Sequence, residues 1–210
     1  MFIEDLKASP LVAIVRGVMP SEAADVAKAL FDGGIRFMEV TMNSPSPGES
    51  IAEMKRALEG SGAHVGAGTV TTLRRLEDAA KAGAEFIISP DCNHQIIRET
   101  KRLGLVSMPG FFTPSEAFRA LDAGADVLKC FPCAVLGPGF LKDLKAVLDA
   151  PVMAVGGIGM ENMDKYLAVA EAVGIGSSLY KPGLKPEQLL ERAKAFIKAA
   201  MACKESGNVR

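Results

Sequence analysis

Short apolar runs and amphipathic stretches alternate along the whole chain. Eight runs begin at Leu11 (LVAIV), Arg36 (RFMEV), Ala63 (AHVGAG), Glu85 (EFIIS), Leu105 (LVSMP), Asp126 (DVLKCF), Val152 (VMAVGG) and Val173 (VGIGSS), 20 to 27 residues apart. They are too continuously apolar for strands with one wet face, and so predict buried parallel strands. Between them, apolar residues recur at helical spacing: Val26, Ala27, Leu30 and Phe31; Ile51, Met54 and Leu58; Ile96, Ile97, Thr100 and Leu103. Each stripe predicts a helix packed on the core. Thr113-Pro114-Ser115-Glu116 is a capping box with Pro at the first helical position. Gly33-Gly34, Gly83, Gly104 and Gly124 mark helix ends, and a last helix is predicted from about Pro186 to Met201.

Eight βα units predict an α/β fold, a compact (β/α)8 TIM barrel, as a single domain over residues 1–203, with 204–210 as a disordered polar tail. An open doubly wound sheet would use the same alternation, but usually carries a glycine-rich nucleotide fingerprint. Gly66-Ala67-Gly68-Thr69-Val70-Thr71 and Gly174-Ile175-Gly176-Ser177-Ser178-Leu179 both begin like one and lack its third glycine. No linker or composition shift divides the 210 residues.

Composition narrows the partners. A net charge of −1, no Trp and 6% aromatic residues argue against a nucleic-acid surface or an acidic membrane as partner. No stretch approaches the length of a membrane span. The N-terminus Met1-Phe2-Ile3-Glu4-Asp5 is acidic where a signal peptide is basic, so a soluble cytoplasmic protein is expected. Cys130 and Cys133 form a C-x-x-C with no second pair to complete a zinc site. A thioredoxin-like role or plain free thiols both fit it. His64, at the start of the third run, and His94 lie 30 residues apart without a carboxylate set, so no metal is expected. His64 falls at the end opposite the active rim.

In a barrel, chemistry collects at the C-terminal ends of the strands. Those ends carry Arg16-Gly17, Glu39, Gly68-Thr69, Ser89-Pro90, Pro109-Gly110, Lys129, Gly156-Gly157 and Ser177-Ser178, in chain order. Lys129 ends an apolar strand, where burial lowers the amine pKa and frees it to attack a carbonyl; snorkelling or a carboxylate partner would also accommodate it. Glu39, in Phe37-Met38-Glu39-Val40-Thr41, would be half-buried in the barrel mouth, where desolvation raises its pKa toward the proton-transfer range. A salt bridge to Lys129 or Arg16 is the structural alternative. The two loops with Gly156, Gly157, Ser177 and Ser178 follow the seventh and eighth strands, the usual phosphate site of this barrel, although glycines there also make tight turns.

Together these segments resemble the 2-keto-3-deoxy-6-phosphogluconate (KDPG) aldolase family. It also includes the 2-keto-3-deoxy-6-phosphogalactonate (KDPGal) and 4-hydroxy-2-oxoglutarate (KHG) aldolases. The resemblance runs from about Pro10 to Ala199. It rests on Ile14-Val15-Arg16-Gly17, Met38-Glu39-Val40-Thr41, Gly66-Ala67-Gly68-Thr69-Val70, Ile88-Ser89-Pro90, Pro109-Gly110, Leu128-Lys129-Cys130-Phe131-Pro132, Gly156-Gly157-Ile158 and Gly176-Ser177-Ser178. It implies a class I enzyme, usually a homotrimer, with no metal or organic cofactor. The substrate would be a phosphorylated keto sugar acid, cleaved to pyruvate and glyceraldehyde 3-phosphate. Lys129 would be the Schiff-base lysine and Glu39 the proton shuttle. Thr69, Pro90 and Phe131 would line the pyruvate pocket, Arg16 would bind substrate, and Gly156, Gly157 and Ser177 or Ser178 would contact phosphate.

One segment departs from the phosphogluconate pattern. Val40-Thr41-Met42-Asn43-Ser44-Pro45 has Asn where V-T-L-R-T has Arg, and resembles the phosphogalactonate enzymes instead, as do Phe131 to Pro138 and Ser178-Leu179-Tyr180. Asn43 is therefore expected to meet a sugar hydroxyl, leaving more of the carboxylate recognition to Arg16. A second reading of the same rim is a barrel that binds or isomerises a sugar phosphate without a covalent step.

Overall fold

The structure, a computed structural model, describes residues 2–205, with only the backbone described for the last two. Nine strands form one parallel sheet: β1 (Leu11–Val15), β2 (Phe37–Thr41), β3 (His64–Gly68), β4 (Phe86–Ile88), β5 (Val106–Met108), β6 (Gly110–Phe111), β7 (Leu128–Cys130), β8 (Val152–Val155) and β9 (Ala172–Ile175). Their order is β5-β4-β3-β2-β1-β9-β8-β7-β6. The predicted fifth strand is thus two short ones, split at Pro109, which has no N–H for the ladder. The ring closes through this segment. Ser107 accepts from the N–H groups of Asp126 (2.9 Å) and Val127 (3.2 Å), and Pro109 accepts from Lys129 N–H (2.8 Å). The eight predicted βα units therefore form the expected barrel.

The helices are α1 (Phe2–Ala8), α2 (Pro20–Asp32), α3 (Pro47–Ala57), α4 (Leu73–Lys81), α5 (His94–Arg102), α6 (Pro114–Asp122), α7 (Cys133–Leu144), α8 (Met163–Leu167) and α9 (Pro186–Glu205). The predicted stripes face the core, except that Leu103 caps α5 and is 37% exposed. The capping box at α6 forms: Thr113 Oγ1 accepts from Glu116 N–H (3.3 Å), and Glu116 Oε2 accepts from Thr113 N–H (2.9 Å). Helix α9 continues through Glu205, beyond the predicted end at Met201 and into the expected tail; residues 206–210 of that tail lie outside the described residues. No helix among the described residues is long and apolar enough to cross a membrane.

Strand parity divides the sheet into two faces. Leu11, Ala13, Val15, Met38, Val40, Val65 and Ala67 point outward into the layer under the helices. Val12, Ile14, Phe37, Phe86, Ile88, Met108, Val127, Met153 and Val155 fill the barrel. Glu39 shares parity with Phe37, and Lys129 with Val127, so both polar side chains point inward.

The N-terminal end of the barrel is closed by α1, which the apolar pattern did not predict. Its Phe2 ring meets Phe37 edge-on (5.2 Å between centroids) and His64 (5.1 Å). Three acids that precede strands clamp this face. Glu85 pairs with Lys55 and its carboxylate accepts from His64 Nδ1–H at 2.6 Å. Asp126 takes Lys101 (2.7 Å) and Ser107 N–H (2.8 Å), and Glu171 takes Lys145 and Val152 N–H (2.7 Å). A tied base leaves the opposite rim as the end where loops are free to carry chemistry.

Candidate active site

A cavity of ≈ 400 Å³ opens at the C-terminal ends of the strands, and all the site residues expected from the sequence except Asn43 line it. These are Arg16, Glu39, Thr69, Pro90, Lys129, Phe131, Gly156, Gly157, Ser177 and Ser178, joined by Ile14, Val155, Ile158, Gly174 and Gly176 as walls. His64 and His94 lie elsewhere. Among the described residues, no group of three or more His, Cys, Asp or Glu side chains is placed to hold a metal ion.

Glu39 lies on the floor, only 1% exposed, level with Ile14 of β1 and Gly66 of β3. It is more deeply buried than the half-buried position expected. Burial pushes its pKa up, opposed by the cations of Lys129 and Arg16. Its Oε2 has no hydrogen-bond partner. The carboxyl rests directly on β3: a Cβ added to Gly68 would lie 2.3 Å from Glu39 Oε2. Alternate glycines at 66 and 68 in a strand are a sequence signal of close approach, and what approaches at 68 is the acid.

Lys129 projects from β7 between Gly110 of β6 and Met153 of β8 and is 6% exposed. Burial lowers its pKa, Glu39 opposes that shift, and Arg16 adds to it. Its Nζ lies 4.9 Å from the centroid of the Phe131 ring, close enough for a cation–π contact. Phe131 in turn packs where Gly156 lacks a side chain; a Cβ there would come within 3.1 Å of its ring. The lysine, the ring and the glycine loop are therefore one packed unit.

That loop turns through two left-handed residues, Gly156 (φ 96°) and Gly157 (φ 71°), a conformation that favours glycine. Asn162 braces it from outside, donating to Gly157 O (2.9 Å) and accepting from Gly159 N–H (2.9 Å). Opposite, Gly176 O accepts from Leu179 and Tyr180 N–H (2.9 and 3.0 Å), which makes one helical turn. Among the described residues, the N–H groups of Gly157, Ile158, Ser177 and Ser178 find no backbone acceptor. Free N–H groups at tight turns make an anion cradle. Ser178 Oγ also donates to Ile158 O at 3.4 Å, so its hydroxyl ties the two loops together and leaves that of Ser177 free for a ligand.

Thr69 occupies the left-handed region at φ 57°, an outlier for a β-branched residue. Nothing in the sequence foretold this. Arg75 holds it, donating to Thr69 O (3.3 Å) and Thr71 Oγ1 (2.8 Å). Ser89 Oγ donates to Val70 O (2.7 Å), tying the Pro90 end of β4 to the same loop. Asn43 is not among the cavity-lining residues. Its Oδ1 accepts from the Arg16 guanidinium at 2.7 Å, so the carbonyl expected to meet a sugar hydroxyl is bonded to a neighbouring side chain. Cys130 and Cys133 are both buried behind the site as free thiols.

A buried amine with a lowered pKa, a buried acid with a raised one and an anion cradle in one cavity define a barrel equipped to form and break a bond next to a carbonyl. Comparison with known proteins supplies the family. The family model for KDPG and KHG aldolase matches residues 2–192, and the chain belongs to that family. A probable 2-dehydro-3-deoxy-6-phosphogalactonate aldolase of Rhizobium meliloti (strain 1021) is 42% identical over 193 residues, 90% of this chain and 91% of that protein. A solved structure described as native KDPGal superposes with a TM-score of 0.89 at 38% identity, covering 93% of this chain and 96% of its own. KDPG aldolase from Legionella pneumophila, with pyruvate captured at low pH as a covalent carbinolamine intermediate, superposes with a TM-score of 0.85 at 27% identity, covering 93% and 97%.

Proposed function

We propose that this protein is a class I aldolase that cleaves a 2-keto-3-deoxy-6-phospho sugar acid to pyruvate and glyceraldehyde 3-phosphate. The observation that carries the reading is Lys129, buried in the barrel beside a buried Glu39. Two ionisable groups in one apolar site are costly to bury, and their opposed pKa shifts suit an amine that must be neutral to attack and an acid that must hold a proton. A binding-only barrel would keep the anion cradle but has no need of this pair, and an isomerising one would use Lys129 only as a fixed charge, with no covalent adduct.

In the proposed sequence, neutral Lys129 attacks the C2 ketone. Glu39 delivers a proton as the carbinolamine loses water, leaving an iminium. The carboxylate of Glu39, through a water, then takes the proton of the C4 hydroxyl. The C3–C4 electron pair flows into the iminium, which becomes an enamine as the aldehyde departs. Glu39 returns the proton to C3, and hydrolysis of the new iminium releases pyruvate and frees the amine. The iminium is the electron sink. Thr69, Pro90 and Phe131 wall the pyruvate end, Arg16 faces an oxyanion, and the loops with Gly156, Gly157, Ser177 and Ser178 receive the phosphate.

The galactonate configuration at C4 is the preferred substrate in this reading. Support comes from the Asn43-Ser44-Pro45 segment and from the higher identity to the KDPGal structure (38%) than to the Legionella KDPG aldolase (27%). Both epimers should be cleaved. The preference at one carbon is expected to be about 10–200-fold in kcat/KM. Coupling pyruvate release to lactate dehydrogenase measures both rates. Any preference for the phosphogluconate epimer would reverse the assignment while leaving the aldolase chemistry intact. A homotrimer and a cytoplasmic location belong to the same reading; the first is tested by the mass in solution.

A further inference from the structure

We propose that Asn43 is a positioning residue whose side-chain carbonyl fixes the Arg16 guanidinium at the cavity mouth without cancelling its charge. The nature of the bound group, an oxyanion of the substrate, rests on the aldolase reading; the placement of the guanidinium does not.

A turn ends β2. Ser44 N–H donates to Thr41 O at 2.9 Å, which closes the turn. The buried Ser44 Oγ accepts from Gly17 N–H at 2.8 Å and lies 3.0 Å from Thr41 Oγ1, itself fully buried. Gly17 has φ 79°, and a Cβ on it would lie 2.9 Å from Pro182 Cγ. The backbone at 16–17 is thus held on one side by Ser44 and on the other by Pro182. Asn43 is the preceding residue of the same turn, and its Oδ1 takes a hydrogen from Arg16 Nη1 at 2.7 Å. One turn therefore grips both the backbone and the side chain of the end of β1.

The chemistry of the amide matters as much as its position. Arginine has five N–H donors, and Asn43 occupies one, leaving the others for an oxyanion. A carboxylate in place of Asn43 would accept the same bond but neutralise the cation. Arg16 forms no ion pair with any acid among the described residues, so its charge stays available. That charge reaches into the cavity, where it opposes protonation of both Glu39 and Lys129. The residue that departs from the arginine pattern thus supports the arginine that remains.

The test compares wild type, Asn43→Ala, Asn43→Asp, Arg16→Ala and the Arg16→Ala/Asn43→Ala double variant. One readout is independent of turnover: the rate at which phenylglyoxal labels Arg16, followed by peptide mapping. Asn43→Ala should speed labelling about fivefold, whereas Asn43→Asp, which keeps the acceptor, should leave it slow. In turnover, both substitutions should raise KM about tenfold with kcat changed less than about threefold. In the Arg16→Ala background, Asn43→Ala should change KM by less than about twofold, because its partner is gone. Weaker saturation by pyruvate would assign the oxyanion to the carboxylate, and weaker inhibition by inorganic phosphate would assign it to the phosphate. Equal labelling rates in wild type and Asn43→Ala would overturn the proposal, as would the same KM penalty in both backgrounds. A wild-type protein that cleaves neither epimer would overturn the aldolase reading instead, and the labelling comparison would still decide the placement of Arg16.

Discussion

Gly68→Ala should separate the placement of the acid from the stability of the barrel. The added Cβ would lie 2.3 Å from Glu39 Oε2, 2.5 Å from its Cδ and 2.9 Å from Oε1. Ordinary contact begins near 3.4 Å, so the carboxyl must retreat by about 1 Å. It is the far end of a flexible side chain, so the backbone need not move, and the fold should survive at a cost near the low end of the 1–3 kcal/mol typical of overpacking. For a chain of this length that lowers Tm by about 2–4 °C. The chemical cost is larger, because a displacement of about 1 Å at a proton-transfer group removes about 10²-fold in rate. Glu39→Gln, which removes the proton altogether, should lose at least about as much while folding normally. Gly66→Ala is the control. Its Cβ would meet the Phe86 carbonyl oxygen at 2.5 Å and the Phe86 ring at 2.5 Å. Backbone cannot yield as a side chain can, so this variant should lose considerably more stability than Gly68→Ala. Steady-state pyruvate release and thermal melts on the three variants provide the assay. If Gly68→Ala turns over within about threefold of wild type, then Glu39 is not held against β3 in the way the acid/base role requires.

Two further expectations concern the same cavity. Lys129→Met removes a buried cation whose folded pKa lies below its ordinary 10.5; the charge penalty is full below the folded pKa and fades as pH rises toward the unfolded value, so the inactive variant should melt about 2 °C or more above wild type at pH 7, with the gap closing toward pH 10. An unchanged or lower Tm at pH 7 would mean the amine is well compensated where it lies. Gly176→Asp places a carboxylate in the cradle where an added Cβ has nothing within 4 Å, whereas one at Gly157 would strike Ala134 Cβ at 2.5 Å, so Gly176 is the cleaner site to probe. It should weaken cleavage of the phosphorylated substrates at least about tenfold more than that of unphosphorylated 4-hydroxy-2-oxoglutarate, and equal losses would remove the phosphate from these loops.

Much of this was legible in the sequence because two periodicities carry it. Alternating apolar runs and helical stripes mark the βα units, and polar or glycine residues at the strand ends mark the rim. Lys129 and Glu39 stood out because charge is rare in such runs, and strand parity is enough to turn both inward. What escaped depends on contacts between elements. The break at Pro109 looks from sequence like a strand end, because the residues that close the ring across it come from β7 and the two residues before it. Helix α1 is only seven residues long, and its role as a plug becomes visible once Phe2 is seen against Phe37 and His64. The left-handed Thr69 is imposed by its surroundings, with Arg75 holding it from α4. Asn43 stands out in the sequence as the departure from the arginine pattern. Its partner is Arg16, just past the end of the neighbouring strand β1 and 27 positions away, which no local pattern reports.

The most direct test of the central claim is reductive trapping. The protein is incubated with pyruvate, treated with sodium borohydride, digested, and mapped by mass spectrometry. The account predicts one reduced pyruvyl group per chain, on Lys129, with trapping abolished in Lys129→Met. Label on any other lysine, or none on a protein that still cleaves its substrate, would contradict a Schiff base at Lys129.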